Sequence, residues 1–290
     1  MTPQNRTHSG GDVGTGPLWM RLFSLLILAT ALSVQPVAAQ SQTAAASSAQ
    51  KDANAQKAAE LLKQCVAALG GNAYLSLQDM QQQGRGYTFY HGQPRDVGAL
   101  FWRFWKWPDK DRSEFTKQRD VIIIHTGDQG FEVTYKGTAA EEPEVTADFL
   151  RRRHNSLENV LRVWLPQPGT ALFYDGSAIA EQKPADAVSI LNSNNEQVTL
   201  YLDVRNHLPI KKSFTWRDPK TRDRNEEEEI YDNYKPVQGV MTPHNITRKL
   251  NGEMLNQRFI DSVRYNQNVA DSLFTARVTY DPYKHSGPRR

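Results

Sequence analysis

The sequence predicts a mainly β protein: a strongly curved antiparallel sheet forming an incomplete barrel of about ten or eleven strands, with two main helices plugging or lidding its concave face. Three observations point there. From Gln81 onward apolar residues recur with a period of two, in short runs separated by turn residues such as Asn251-Gly252, the pattern of hairpin-linked strands. The run Leu100-Phe-Trp-Arg-Phe-Trp-Lys-Trp107 is aromatic on both faces of a strand, so each face needs an apolar neighbour. Only two segments carry a clear helical stripe. An antiparallel sheet twists and curls, and those two helices are the local candidates to fill its hollow.

The elements follow in order. Arg21, the apolar run from Leu22 to Leu32, and Val37-Ala38-Ala39 make a basic, then apolar, then small-residue sequence, the pattern of a secretory signal cleaved after Ala39. No cysteine follows it closely, so the mature chain is expected to be soluble and not lipidated. Residues 40–55 are Ala, Ser and Gln with little apolar surface and are expected to be a disordered tail. A single domain is expected over residues 56–280, with residues 281–290 loose. It begins with a helix whose Ala58, Leu61, Leu62, Cys65 and Leu69 share one face, stopped by Gly70-Gly71. Cys65, the only cysteine, reads there as a small buried hydrophobe.

Strands are expected around Tyr87 and Phe89, over the aromatic run, over Arg112 to Gln118 around Phe115, over Val121-Ile-Ile-Ile124 and over Phe131 to Tyr135. A second helix then interrupts, with Thr146 as its N-cap and Phe149, Leu150, Leu157, Val160, Leu161 and Trp164 on or near one face. Its Arg151-Arg152-Arg153-His154 run reads as a solvated or salt-bridged face, or as a contact for an anionic head group or partner. Strands resume from Thr170 to a turn at Asp175-Gly176, over Ala187 to Leu191, and over Val198 to Val204, where alternation is clearest. They continue from Pro209 to Trp216, then through a charged hairpin at Asp218 to Glu229, whose Glu226 to Glu229 reads as a solvated edge. Ile230 to Tyr234 follows, and Val240 to Leu250 pairs with Glu253 to Tyr265.

Composition excludes several classes. The chain has 290 residues, 35 Lys and Arg against 32 Asp and Glu, and six Trp; this near balance argues against a nucleic-acid binder. No G-x-S-x-G, H-E-x-x-H, EF-hand or phosphate-loop motif occurs. The histidines are scattered without metal-ligand spacing. No catalytic residue, metal or cofactor is expected, and the chain reads as a non-enzyme.

Ala67-Ala-Leu-Gly-Gly-Asn-Ala73, Phe101-Trp-Arg-Phe-Trp-Lys-Trp-Pro108 with Asp111-Arg112, Thr199-Leu-Tyr-Leu-Asp-Val-Arg-Asn-His-Leu-Pro-Ile-Lys211 and Tyr234-Lys-Pro-Val-Gln-Gly-Val-Met-Thr-Pro-His244 resemble the LolA/LolB-like periplasmic lipoprotein carriers and their lipoprotein-sorting relatives. The resemblance spans most of residues 56–275. It implies an open, curved barrel whose helices lid a hydrophobic cavity for acyl chains. The function it implies is a periplasmic carrier of an acyl lipid or lipoprotein cargo, meeting donor and acceptor proteins at the inner and outer membranes. Tyr87, Phe89, Trp102, Phe104, Trp105, Leu161 and Trp164 are the expected lining or lid residues. Strand parity lets only one of the sets Trp102/Phe104 and Phe101/Trp105/Trp107 face the cavity. Two other readings stay open: an envelope sensor that binds a protein partner with its cavity filled by its own helices, and a hydrolase of envelope lipids.

Overall fold

The computed structural model describes residues 38–95 and 97–283, with side chains from residue 49 onward. The expected signal segment lies outside the described residues except for its last two, and residues 284–290 of the expected tail also lie outside them. The unit starting at Ala45 carries everything below.

Two helices, α1 (Ala38–Leu69) and α2 (Asn72–Leu75), lead into β1 (Asp79–Tyr90) and β2 (Gln93–Pro94). Five strands follow: β3 (Ala99–Lys106), β4 (Lys110–Phe115), β5 (Val121–Thr126), β6 (Gln129–Thr134) and β7 (Gly137–Ala140). The helical middle is α3 (Pro143–His154), α4 (Leu157–Asn159) and a π-helical turn at Val160–Trp164. The chain then forms β8 (Ala171–Ala180), β9 (Lys183–Leu191), β10 (Gln197–Asp203), β11 (Pro209–Arg217), β12 (Arg224–Val237), β13 (Val240–Leu250) and β14 (Glu253–Tyr265).

Among the described residues all strands join one antiparallel sheet of 14, in the order β7-β6-β5-β4-β3-β1-β14-β13-β12-β11-β10-β9-β8, with β2 paired to β1. The sheet is not closed: β7 and β8 are its edges, as expected of an open curved sheet. The count exceeds the expected ten or eleven because short pieces such as β2 and β7 lack any visible alternation. The topology explains the helical middle. The connection from β7 to β8 must travel from one sheet edge to the other, and it does so across the inner face. There Leu157, Val160, Leu161 and Trp164 join the main core.

Several local expectations change. Helix α1 does not begin near residue 56 but runs from Ala38: an alanine-rich stretch lacks apolar packing surface yet favours helix. Asn54 also clips it to β8, donating from Nδ2 to the Tyr174 carbonyl at 2.7 Å and accepting from the Tyr174 N–H at 2.9 Å. The second helix is broken rather than continuous. Asn155 ends α3, and Ser156 caps α4 by accepting from the Asn159 N–H at 3.2 Å. The N-cap of α3 is Glu142, with Pro143 in its first turn, while Thr146 is buried and donates to Glu141 at 2.8 Å. Asp175-Gly176 is a bulge within β8, and the hairpin turns instead at Glu181-Gln182, both in the left-handed region. No glycine marks that turn, so the sequence hides it.

The aromatic strand β3 finds a cover for each face. Phe101 belongs to the main core on the inner side. On the outer side Phe104 packs with Ile122, Ile124, Phe131, Val269, Leu273 and Phe274, the last three supplied by the segment after β14. That segment is tied down by Lys106 Nζ to the Val269 carbonyl at 3.0 Å and by Arg112 to the Leu273 carbonyl at 3.0 Å. The chain's own C-terminal strap, not a ligand, covers this side.

Candidate functional site

Residue rows across the inner face build the site. Tyr231 on β12 stands beside Ile246 on β13, then Arg258 on β14, Gly86 on β1 and Ala99 on β3. A parallel row runs Phe115, Phe101, Gly84, Ile260. Side chains stop at Gly86 and Ala99, so the sheet floor dips there. At Gly84 the cause is close packing: a Cβ would collide with the Phe259 carbonyl. At Gly86 it is space, since a Cβ would meet only Phe101 Cδ1, at 3.9 Å.

Over this dip lies α3, and between them is a cavity of about 530 Å³. Its apolar wall is Phe101, Trp105, Phe115, Ile246 and Tyr231 from the sheet, with Phe149 from α3. Phe149 stacks on His125 of β5, with ring centroids 3.5 Å apart. Six cations line the same space, Arg103, Lys110, Arg152, Arg153, Arg248 and Arg258, against the carboxylates Asp111, Glu158 and Glu229. The cavity is therefore amphiphilic, with a positive excess.

Most of these charges are already paired. Arg103 binds Asp111 through Nη2 at 2.6 Å and Nε at 2.8 Å. Burial alone would lower the Arg103 pKa, but Asp111 more than offsets it and the pKa ends above its ordinary value. Glu229 accepts from Lys212 at 2.8 Å and from the Tyr231 hydroxyl at 2.9 Å. Burial would raise its pKa, yet the charges of Lys212 and Arg258 and those hydrogen bonds hold it well below the carboxylate range. Lys212 is itself 1% exposed and also donates to the Asn155 carbonyl at 2.8 Å, which anchors the break after α3.

Helix α3 is docked by polar contacts. Arg151 reaches the buried Glu227 at 3.4 Å and pairs with Asp148; Arg152 also pairs with Asp148; Arg248 holds Glu227 at 3.2 Å. Arg153 donates to the Asp109 carbonyl at 2.9 Å, and His154 meets Glu196 at 2.7 Å. The Arg152 pKa is pushed down to about 10, first by burial and next by Arg248. Glu226 to Glu229 is therefore no solvated edge: β12 is a central strand, and its Glu227 and Glu229 face inward because buried partners receive them.

The expected lining residues divide. Trp105 lines the cavity with Phe101 of its expected set and with Arg103 on the same face, while Trp107, past the end of β3, borders a second cavity instead. Trp102 and Phe104 point outward, where the Arg119 guanidinium lies over their rings at 5.2 and 5.7 Å. Tyr87 sits at the cavity rim, but its ring packs edge-on to Phe259, 5.7 Å away. Phe89 pairs with Pro94 of β2 and does not line the cavity. Leu161 and Trp164 lie in the main core, and Leu161 also borders a second cavity of about 500 Å³ with Val66, Leu75, Trp107 and Leu165. Arg258, Glu229, Lys212 and Phe149 were not expected in the site. Arg258 had a signal, since it lies two residues before the buried Ile260 and so shares its face.

Cys65 is fully buried, and burial pushes its thiol up to about 12. It packs in the core as an inert hydrophobe. Among the described residues no cluster of three or more His, Cys, Asp or Glu is placed to hold a metal, and no helix is long and apolar enough to cross a membrane.

No protein-family model matches the sequence, and no curated protein matches it. Solved structures do. A DUF1329 family protein from Desulfovibrio piger superposes with a TM-score of 0.53 at 10% identity, over 75% of this chain and 97% of its own. An outer membrane lipoprotein-sorting protein domain from Vibrio parahaemolyticus superposes with a TM-score of 0.52 at 12% identity, over 76% of this chain and 97% of its own. At such identities the likeness is one of fold: this chain shares with both structures the open, curved antiparallel sheet with helices on its inner face.

Proposed function

We propose that this chain is a non-enzymatic periplasmic carrier, exported by its N-terminal signal, that binds the acyl part of a lipid or lipoprotein beneath α3 and passes it toward the outer membrane. The observation that carries this reading is an aromatic-floored cavity roofed by a helix that polar contacts hold in place. Its volume of about 530 Å³ falls in the range of small-molecule sites, about 300–1,000 Å³. Burying an acyl chain yields about 0.8 kcal/mol per CH₂, or about 10 kcal/mol for twelve carbons before binding costs. Release then requires α3 to lift, which breaks ion pairs rather than exposing a core. The fold shared with the Vibrio domain supports the same reading.

Mass spectrometry of an organic extract of the protein, purified without detergent from its native compartment, tests it. An acyl-bearing species at stoichiometric amount is expected. Trp105→Ala should weaken dodecanoate binding and Trp102→Ala should not; equal affinities would remove the cavity assignment.

A second reading rests on the β8 edge. Among the described residues no strand pairs with this edge, which Asn54 clips only at Tyr174; it bears Phe173 and Ile179, 44% and 71% exposed, and such edges accept an added strand. Under that reading the chain is an envelope sensor binding a protein segment. A clean extract together with loss of partner capture on Ile179→Lys would favour it.

A further inference from the structure

We infer that the cavity selects an anionic amphiphile, pairing its oxyanion, a carboxylate or phosphate, with Arg258 while the chain lies on the aromatic floor; this rests on the acyl-binding reading above. Arg258 is the lining cation to which the fold gives no partner: among the described residues it has no hydrogen bond and no carboxylate within ion-pair distance. Arg103, Lys110, Arg152, Arg153 and Arg248 all have one.

The carboxylates that bear on Arg258 electrostatically are Glu229 and Asp111. Both are engaged elsewhere, Glu229 by Lys212 and Tyr231, Asp111 by Arg103. Arg103 and Lys212 thus take up Asp111 and Glu229, and Glu158, the third lining carboxylate, bears on Arg103 and not on Arg258, so the Arg258 charge stays without a partner in a sheltered place. Burial lowers the Arg258 pKa, and the like charge of Arg103 adds to that. An unmatched guanidinium in such a setting is costly, and an incoming oxyanion would relieve it while accepting from the guanidinium's fork of donors.

Position supports the same ligand. Arg258 stands in the row between Ile246 and the bare Gly86. An oxyanion at its guanidinium therefore has apolar floor beside it: Ile246 on one side and, on the other, the Phe101 ring that reaches toward the bare Gly86. A head group and a chain can be met together only by a molecule carrying both.

The test is isothermal titration of the full chain with dodecyl phosphate, dodecanoate, dodecanol and inorganic phosphate, all below micelle formation. Dodecyl phosphate and dodecanoate should bind at least tenfold more tightly than dodecanol. Arg258→Gln should erase that preference while keeping dodecanol binding, and Arg258→Lys should retain most of it. Equal affinity for the three chain-bearing probes would overturn the anion inference and leave acyl binding standing. Binding of none would overturn the carrier reading as well. Inorganic phosphate binding as tightly as dodecyl phosphate would show a free-anion site and overturn the amphiphile. A preference that survives in Arg258→Gln would remove Arg258 from the role. Should that variant fail to fold, the probe series on the unaltered chain still decides the ligand class.

Discussion

Helix α1 and helix α3 lie on the same inner sheet face but are held there differently. Helix α1 buries Ala58, Leu61, Leu62, Cys65 and Leu69 in one core with Val188, Ile190, Val198, Leu200 and Leu202. Helix α3 buries only Thr146 among its own residues; Asp148 to Arg248, Arg151 to Glu227 and Arg153 to the Asp109 carbonyl fasten it over a cavity. Apolar contact is non-directional and scales with area, so an α1-type plug has no partly open state. Ion pairs can be exchanged one at a time for water or for a ligand. One half of the hollow is filled as a core is filled, and the other is closed as a clasp is closed.

The contrast can be broken most forcefully at Leu62. Leu62→Ala, at a fully buried site, should cost about 2–5 kcal/mol in chemical denaturation, with cavity binding in the folded fraction unchanged. A smaller loss is expected from Glu227→Gln. It leaves Arg151 and Arg248 without their shared carboxylate and should cost about 1–3 kcal/mol; hydrogen exchange should rise over residues 143–154 and not over residues 58–69. Equal exposure of both helices would mean that α3 is part of the core after all.

Acidification sharpens the same comparison. Glu141 is lowered because the hydrogen bonds from His125 and Thr146 outweigh the burial that opposes them, and Glu229 is lowered by Lys212 and Arg258 against a still larger burial. Each carboxylate thus has a lower pKa folded than unfolded, so its stabilisation is present above the ordinary value of 4.5 and is lost as pH falls below it. Exchange over residues 143–154 should therefore accelerate below that pH before any change in α1, and Glu141→Gln should flatten the response. The smallest stability effect is expected at Gly86. Gly86→Leu projects into open cavity and should alter stability by no more than about 1 kcal/mol, while lowering dodecanoate affinity at least tenfold by titration.

Much of the sheet was legible. Alternation in Val198 to Val204 and the Asn251-Gly252 turn led directly to β10 and to the β13–β14 hairpin, where Leu250 pairs with Glu253 across left-handed Asn251 and Gly252. Helix α1 was legible from its stripe, although its start was not, because helix propensity and packing surface are different signals. The site was half legible. Trp105 could be named, but choosing between Trp105 and Trp102 needed the partner strands, because a strand aromatic on both sides carries no parity signal of its own. The ionic part was hidden for a different reason. Arg151 and Glu227, or Lys212 and Asn155, lie tens of residues apart in the chain, and a charge reads as solvent-facing until the partner that lets it be buried is known.

The pairing of β1 with β14 carries a consequence for how the molecule comes into being. Met80 meets Tyr265, so the middle of the sheet joins the first strand to the last. Until the ribosome has released the end of β14, β1 has only β3 and β2 beside it and presents a bare edge. Sequence-distant pairing of this kind slows folding. The chain should consequently stay unfolded throughout its synthesis and acquire structure only once complete. This pairing would also make loss of the thirteen-residue strand β14 as damaging as loss of β1.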